Sequence, residues 1–285
     1  MMHTNELVLR ILNPTYENEG LAIWGGAVSE SPMYTELIAH IPDHVTLKFY
    51  PYIGEEDDQV AFASLSVSGD PLEGVYALAS RWNEELALLG STKAFTGIVF
   101  DFEEFGDALS VDEIAIAHYK ETYQIPEISL ALGFADMATF YRFQPFIDTF
   151  YMEVYDINAR DAEGIITKRI TKTSETSPYS LNPENPGAVI DFLRECVLYD
   201  PDLMEMYNTF GDQIFIMWST QNAESAECLY PLRGKGGANC ELGTWSPAVA
   251  NNFLRLAMNP SEGLFPNVRG HGLFQFDLIP LSWEC

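Results

Sequence analysis

Short apolar runs alternate with segments of helical periodicity along most of this chain, and that alternation limits the fold more than any other feature of the sequence. Repeated units of one strand and one helix produce a parallel sheet covered by helices. Eight such runs follow one another, at residues 21–24, 45–50, 60–67, 97–102, 128–134, 150–155, 214–218 and 272–276. A further run, at 7–12, predicts an additional N-terminal strand, or part of a hairpin, that leads into the first of the eight.

Eight strand-helix units predict a closed (β/α)8 barrel, the TIM barrel. The 285 residues are close to the usual length of one such barrel, so we expect residues 1–285 to form a single domain. The clearest helix is predicted at 72–89, where apolar residues recur every three or four positions. Another is expected at 111–123, with Ser110 as its N-cap. Functional groups of such barrels gather where the strands end, at their carboxyl edge.

The charge balance excludes several classes of partner. The chain has 42 Asp and Glu against 15 Lys and Arg, a formal net charge of −27. Nucleic acids and anionic membrane surfaces are bound by clustered Lys and Arg, so neither is expected as a partner. No stretch reaches the length of a membrane span, and the N-terminus shows no signal peptide. A neutral or cationic ligand fits this composition better.

The metal-binding residue types are few and scattered. The five histidines lack ligand spacing, so no metal ion and no organic cofactor is expected. The four cysteines match no zinc pattern. Cys228 and Cys240 share one Gly-rich loop, where either a local disulfide or two free thiols is compatible with the sequence.

The strand at 97–102 ends in an acidic pair. Side chains of a strand alternate between its faces, so Asp101 and Glu103 share one face while Phe100 and Phe102 share the other. The phenylalanine face is expected to pack on helices, which directs both carboxyl groups into the barrel. Glu104 falls on the opposite face and is a weaker candidate.

Two carboxyl groups at such a short distance repel each other when both are ionised. The repulsion favours a proton on one of them near neutral pH. A protonated carboxyl group is what glycosidic cleavage requires, because the leaving oxygen must receive a proton. The alternative is a structural role, in which the pair forms a salt bridge with a nearby arginine or caps the next helix. A second polar group, with Glu153, Tyr155 and Asp156, closes the strand at 150–155 and can hold an amide or a sugar hydroxyl.

These motifs resemble glycoside hydrolase family 18, the chitinases and endo-β-N-acetylglucosaminidases. The fourth barrel strand of that family carries Asp-Gly-x-Asp-x-Asp-x-Glu, and its sixth commonly ends in Tyr-Asp. The fourth strand of this chain matches the glycine, the last aspartate and the glutamate, but has Thr96 and Val99 at the first two aspartates. The stretch from Ser66 to Gly69 also looks like the end of the family's third strand.

The resemblance implies a role for each matching residue. Glu103 would be the general acid and then the base, Asp101 would orient the substrate's N-acetyl group, and Tyr155 would hold the acetamide. The acetamide oxygen itself attacks the anomeric carbon in this family, without a carboxylate nucleophile. The other expected substrate-binding residues flank this subsite or stand at the ends of other strands: Asp156, Glu153, Trp218, Trp24, Asp277 and Gln275.

Three functions remain open on the sequence alone. The first is endo-cleavage of β-1,4 bonds beside N-acetylglucosamine, in chitin oligosaccharides or in the core of N-linked glycans on glycoproteins; family resemblance favours an exported protein. The second is a chitinase-like protein that binds such sugars with little or no turnover. The third is a glycosidase of another barrel family that pairs Glu103 with an acid such as Glu153 or Asp277.

Overall fold

The structure is a computed structural model. It describes residues 6–11, 38–51, 56–101, 111–133, 136–153, 158–160, 166–169, 201–219, 265 and 267–274. The chain divides into two compact units. The N-terminal unit comprises His3–Ala131 and Thr139–Thr149, and the C-terminal unit comprises Met1–Met2, Leu132–Ala138 and Phe150–Cys285.

Parallel strands form the frame of the N-terminal unit. They are β1 (Glu6–Ile11), β2 (Thr46–Pro51), β3 (Phe95–Asp101) and β4 (Glu127–Gly133), whose last two residues belong to the other unit. Each strand pairs in parallel with the next one in this order. The strands predicted at 45–50, 97–102 and 128–134 are confirmed with small shifts of their ends. The N-terminal run is confirmed as a strand, but its parallel pairing with β2 rules out a hairpin between them.

The helices described beside these strands include α1 (Glu56–Leu65), α2 (Pro71–Leu88), α3 (Glu113–Thr122) and α4 (Met137–Phe143). Helix α2 confirms the prediction for 72–89. It begins where the sequence provides a start signal, because Asp70 caps the amide of Leu72 and Pro71 occupies the first turn. Its buried side chains recur at helical spacing, from Leu72 through Tyr76 to Trp82 and Leu86.

Helix α2 covers one face of β2 and β3. The ring of Trp82 lies 5.9 Å from that of Phe49 and 5.8 Å from that of Phe95. The ring of Tyr76 lies 5.8 Å from that of Phe100. All five side chains are buried, so these aromatic contacts form the core between the helix and the strands.

The strand predicted at 60–67 is wrong, because this segment is the second half of α1 and the turn after it. Its apolar residues suggest alternation, but Phe62 is buried whereas Val60 and Val67 are 63% and 93% exposed. A tertiary contact favours the helix. A Cβ at Gly74 of α2 would lie 1.8 Å from the carbonyl oxygen of Phe62, so only glycine lets the two helices approach this closely.

The helical structure of residues 60–65 changes how two sequence features compare with the family motifs. Ser66, Ser68 and Gly69 lie after α1 and not at the end of a strand, so their likeness to a family third strand has no structural basis. The rank of β3 in the whole chain then depends on residues 21–24, which lie outside the described residues. The helix at 111–123 is confirmed as α3, but Asp112 caps it, in place of the expected Ser110, by accepting from the amide of Ile114.

The C-terminal unit contains a second set of parallel strands. Strand β5 (Thr149–Glu153) begins at the last residue of the N-terminal unit and pairs with β8 (Ile214–Ser219), which pairs with β9 (Gly270–Phe274). The runs at 150–155, 214–218 and 272–276 are thereby confirmed as strands. A two-stranded antiparallel ladder of β6 (Asn158–Arg160) and β7 (Ile166–Arg169) and the helix α5 (Pro201–Thr209) lie between β5 and β8 in the chain.

Aromatic contacts also organise this unit. Tyr151 of β5 packs on Phe215 of β8, and Tyr207 of α5 stacks on Phe265 with ring centroids 4.5 Å apart.

Burial lowers the pKa of His271, on β9, to about 4. The imidazole is therefore neutral at physiological pH.

The described residues thus have a parallel α/β architecture, while closure into a complete (β/α)8 barrel and a single domain stay predictions. The sequence also predicts helices at 187–198 and after Pro247, and both segments lie outside the described residues. Among the helices that are described, none has the length and apolar character needed to cross a membrane.

A cluster of tyrosines and carboxylates joins α2 to α3. Tyr123, the C-cap residue of α3, donates its hydroxyl to Glu73, and Tyr119 of α3 donates its hydroxyl to Asp70, both at 2.8 Å. Ser68 donates both its amide and its hydroxyl to Glu73. The Ser68 hydrogen bond is the main cause that lowers the pKa of Glu73 below its ordinary 4.5, while burial raises the pKa of Tyr123 to about 12.

We predict that Glu73→Gln lowers the free energy of unfolding at pH 7 by roughly 1 to 2 kcal/mol, the range for hydrogen bonds to a charged group after allowance for those that glutamine keeps. Because folding lowers the pKa of Glu73, its contribution is present above pH 4.5 and is lost as the pH falls through the folded pKa. Urea unfolding between pH 7 and pH 3 measures this. Glu84→Gln, at an exposed position of the same helix, is the control. A pH-independent difference would contradict the prediction.

Candidate functional site

Strands β2, β3 and β4 present one face rich in polar side chains, called here the polar face. It carries Lys48 and Tyr50 from β2, Val99 and Asp101 from β3, and Glu127 and Ser129 from β4. The described side chains of the opposite face include five that are apolar and buried: Phe49, Ile98, Phe100, Ile128 and Leu130. This is the division that strand alternation predicts for β3, with Phe100 packed against α2.

Asp101 stands at the carboxyl end of β3, on the polar face. Tyr50 donates its hydroxyl to Oδ2 of Asp101 at 2.8 Å, from the neighbouring strand β2. Tyr50 is buried and Asp101 is half-buried, so this hydrogen bond holds a partly accessible carboxylate in a defined orientation. Such a carboxylate can accept a hydrogen bond from a ligand amide or hydroxyl.

The other predicted site residues are placed as follows. Glu103, Tyr155, Asp156, Trp24, Asp277 and Gln275 lie outside the described residues. Glu153 and Trp218 have described backbones, in β5 and β8, but their side chains are outside the described part of the structure. The roles of all these residues remain predictions, and Asp101 is the candidate whose side-chain surroundings the structure describes.

Two positions of β3 depart from the family motif, and both have structural explanations here. Val99 is only 3% exposed and lies opposite Ser129 of β4 in the strand register. Thr96 donates its hydroxyl to the carbonyl of Leu47 at 3.1 Å, next to an irregularity in the pairing of β2 with β3. Each residue therefore serves the packing or pairing of the strand where the motif has a carboxylate.

A buried ionic network precedes Asp101 on the polar face, and sequence reasoning missed it. The ammonium group of Lys48 lies 2.7 Å from Oε1 of Glu127 and donates to the hydroxyl of Ser129 at 3.2 Å. Thr149 donates its hydroxyl to the same oxygen of Glu127. The Lys48 side chain is 1% exposed and that of Glu127 is 20% exposed. A lysine this deeply buried needs such partners, because an isolated buried charge is strongly unfavourable.

One signal in the sequence could have revealed both Tyr50 and Lys48. They alternate with Leu47 and Phe49 in the run at 45–50, whose apolar residues alone predict a strand. A lysine and a tyrosine two residues apart inside such a run mark a face that is lined with polar groups. No group of three or more His, Cys, Asp or Glu side chains within the described ranges is arranged to hold a metal ion.

Comparison with solved structures finds similarity to chitinases and to a chitinase-like agglutinin. A family GH18 chitinase from Cycas revoluta, in complex with (GlcNAc)3, is 11% identical, with a TM-score of 0.44; the match covers 96% of this chain and 88% of the chitinase. A chitinase-like agglutinin from Robinia pseudoacacia is 12% identical, with a TM-score of 0.41, over 97% of this chain and 90% of the agglutinin. No family model and no curated protein sequence matches the chain.

We predict that Lys48→Met lowers the free energy of unfolding by about 3 kcal/mol, because it removes the cation that balances the carboxylate of Glu127. The double variant K48M/E127Q should recover most of this loss, since glutamine is neutral and still offers an acceptor oxygen to Thr149. Urea unfolding at pH 7 measures both variants. K93M/D43N, which removes an ion pair with an exposed aspartate, should change stability little. A double variant no more stable than Lys48→Met would contradict this account.

Proposed function

We propose that this protein is a glycoside hydrolase that cleaves β-1,4 bonds beside N-acetylglucosamine, with Glu103 as the general acid and base and Asp101 as the group that orients the substrate. The observation that carries the proposal is the position of Asp101. It occupies the carboxyl end of a parallel strand, faces away from the helices and is held by a tyrosine from the next strand.

The same strand supports the assignment of Glu103. Gly97, Asp101 and Glu103 keep the spacing of the family-18 motif, and the glycine and aspartate lie in β3. By the alternation of strand side chains, we assign Glu103 to the face of Asp101, two residues further along the chain. An acid and its orienting carboxylate would then address one glycosidic bond from the same side.

The reaction follows from this pair of carboxyl groups. Glu103 would donate its proton to the glycosidic oxygen as the bond to the anomeric carbon breaks. The acetamide oxygen of the substrate would attack that carbon and form a cyclic oxazolinium ion, while Asp101 accepts a hydrogen bond from the acetamide N–H. Glu103, now a carboxylate, would take a proton from the water that opens the ring, which restores the acid and retains the anomeric configuration.

The substrate class follows from the requirement for an acetamide. Tyr155 is proposed to hold its carbonyl oxygen, and Asp156 and Glu153 to flank the same subsite. Trp218, Trp24, Gln275 and Asp277 are the proposed contacts to further sugar units. Chitin oligosaccharides and the chitobiose core of N-linked glycans both provide this group, and the net charge of −27 suits such neutral substrates.

A second candidate is a protein that binds these sugars with little turnover, and one observation favours it. Val99, an apolar residue, stands where the family motif has the carboxylate that would share a proton with Asp101. A mass-spectrometric assay of product, run beside a binding measurement on the same oligosaccharides, separates the two candidates.

We expect the protein to release product from chitotetraose, or from a high-mannose or complex glycoprotein, and Glu103→Gln to abolish release. Glutamine has nearly the same shape but no transferable acid proton. Mass spectrometry of the reaction mixtures measures product, and circular dichroism checks the fold. Glu104→Gln, which changes the adjacent carboxylate in the same way, is the matched control and should remain active. Full activity of Glu103→Gln would remove the proposal.

Retention through the acetamide has its own test. We expect a thiazoline mimic of the oxazolinium ion to inhibit competitively, and the first product formed to be the β-anomer by NMR. An α-anomer as first product would instead favour a barrel glycosidase of another family, with Glu103 paired to a second acid such as Glu153 or Asp277.

Tyr50→Phe tests the positioning of Asp101. Removal of the phenol hydroxyl deletes its 2.8 Å hydrogen bond to Asp101, so we expect kcat to fall roughly tenfold, as for a misplaced orienting group. KM should change little, because the sugar contacts elsewhere are kept. Steady-state kinetics on the cleaved substrate measure both constants. Tyr141→Phe, at an exposed tyrosine of α4, should leave them unchanged.

A further inference from the structure

The ion pair between Lys48 and Glu127 joins two strands that are not neighbours. In the register of the strands, Lys48 of β2 lies opposite Gly97 of β3, and Gly97 lies opposite Glu127 of β4. Neighbouring strands are separated by about 4.8 Å. The two side chains therefore extend across two such intervals until Nζ of Lys48 lies 2.7 Å from Oε1 of Glu127. The contact therefore crosses β3 at the level of Gly97.

Gly97 is the residue that suits this crossing. A Cβ at this position would lie 2.7 Å from the carbonyl oxygen of Glu127 and 3.2 Å from its Cβ. The first distance involves backbone, so a side chain on Gly97 would push β4 away from β3. Gly97, which matches the glycine of the family motif, thus leaves room in this chain for the contact between Lys48 and Glu127.

The crossing lies directly beside a β-bulge. Leu47 pairs with Phe95, but the next residue, Lys48, pairs with Gly97, which leaves Thr96 as the extra residue. The side chain of Thr96 bonds the carbonyl of Leu47, and the side-chain amide of Asn83 on α2 bonds both backbone groups of Phe95. These contacts stabilise the bulge between β2 and β3. The Lys48–Glu127 ion pair stabilises the adjacent pairing by joining β2 to β4.

Register decides whether Tyr50 can reach Asp101. Tyr50 lies two residues after Lys48, and Asp101 lies four residues after Gly97, so all four share the polar face. A slip of one residue in β2 against β3 would move one of the two side chains to the opposite face. The Tyr50–Asp101 hydrogen bond thus depends on the register that the bulge and the crossing set.

We infer that Lys48, Gly97 and Glu127 are positioning residues: their contact across β3 sets the register in which Tyr50 holds Asp101. The catalytic meaning of this inference rests on the proposed function of Asp101. Its structural content does not, since it concerns the geometry of Tyr50 and Asp101 in the protein without substrate.

The first test is structural and uses K48M/E127Q, which removes both charges but keeps an acceptor for Thr149. In its crystal structure we expect the Tyr50 hydroxyl to lie more than 3.5 Å from both carboxylate oxygens of Asp101. In the parent and in the control K93M/D43N, one distance should stay near 2.8 Å. An unchanged hydrogen bond in K48M/E127Q would overturn the inference, whether or not the protein proves to be a hydrolase.

The second test uses chitotetraose and a double-mutant cycle. We expect K48M/E127Q to lower kcat roughly tenfold, as Tyr50→Phe does, with little change in KM. Adding Tyr50→Phe to K48M/E127Q should then cost nothing further, because both changes act through the same hydrogen bond. If the triple variant instead shows the product of the two separate factors in kcat, the inference is overturned. That product is expected when K48M/E127Q lowers kcat independently of the Tyr50–Asp101 hydrogen bond.

Should K48M/E127Q fail to fold, Gly97→Ala takes its place in both tests, because it keeps the charges and displaces β4 by the added Cβ. Failure of the proposed function has a different signature. If the parent cleaves no oligosaccharide or glycoprotein, the hydrolase proposal fails, while the distance from Tyr50 to Asp101 in the variants still decides the positioning role.

Discussion

The polar face of the N-terminal unit depends on one buried charge, that of Lys48. An ammonium group withdrawn from water is tolerated only when an opposite charge and further acceptors surround it, and here Glu127 and Ser129 provide them. The requirement constrains three strands together, because Lys48 and Glu127 meet across Gly97. The chain has only 15 Lys and Arg residues, and Lys48 is buried in the core at the centre of this arrangement.

Polar and apolar layers succeed one another along this face. The ion pair lies at the level of Gly97, the buried Val99 follows, and Asp101 with its tyrosine partner stands at the carboxyl end of β3. The apolar layer separates the structural charges from the candidate functional carboxylate. The opposite face, where Phe49 and Phe100 pack against Trp82 and Tyr76 of α2, supplies the hydrophobic burial that holds the strands in place.

The strand wrongly predicted at 60–67 shows how a local pattern can mislead. The run at 60–67 contains β-branched and aromatic residues that favour strands, yet Gly74 lets the carbonyl of Phe62 approach α2, and the segment is helical. The choice of cap for α3 is a smaller instance, since Asp112 and Ser110 are both good N-caps and only the geometry of the first turn selects one. By contrast, α2 was predictable because its cap, its first-turn proline and its apolar period agree.

The sequence by itself determined the parallel α/β class, the position of β3 and the face to which Asp101 belongs, because strand alternation and helical period are local properties of the chain. Only the tertiary structure decided that Tyr50 is the partner of Asp101 and that Lys48 reaches Glu127 across a glycine. Tyr50 and Asp101 are separated by 51 positions in the chain, and Lys48 and Glu127 by 79. A bulge of one residue sets the strand register that brings them together. Sequence periodicity contains no information about such a register, since it arises only when neighbouring strands pair.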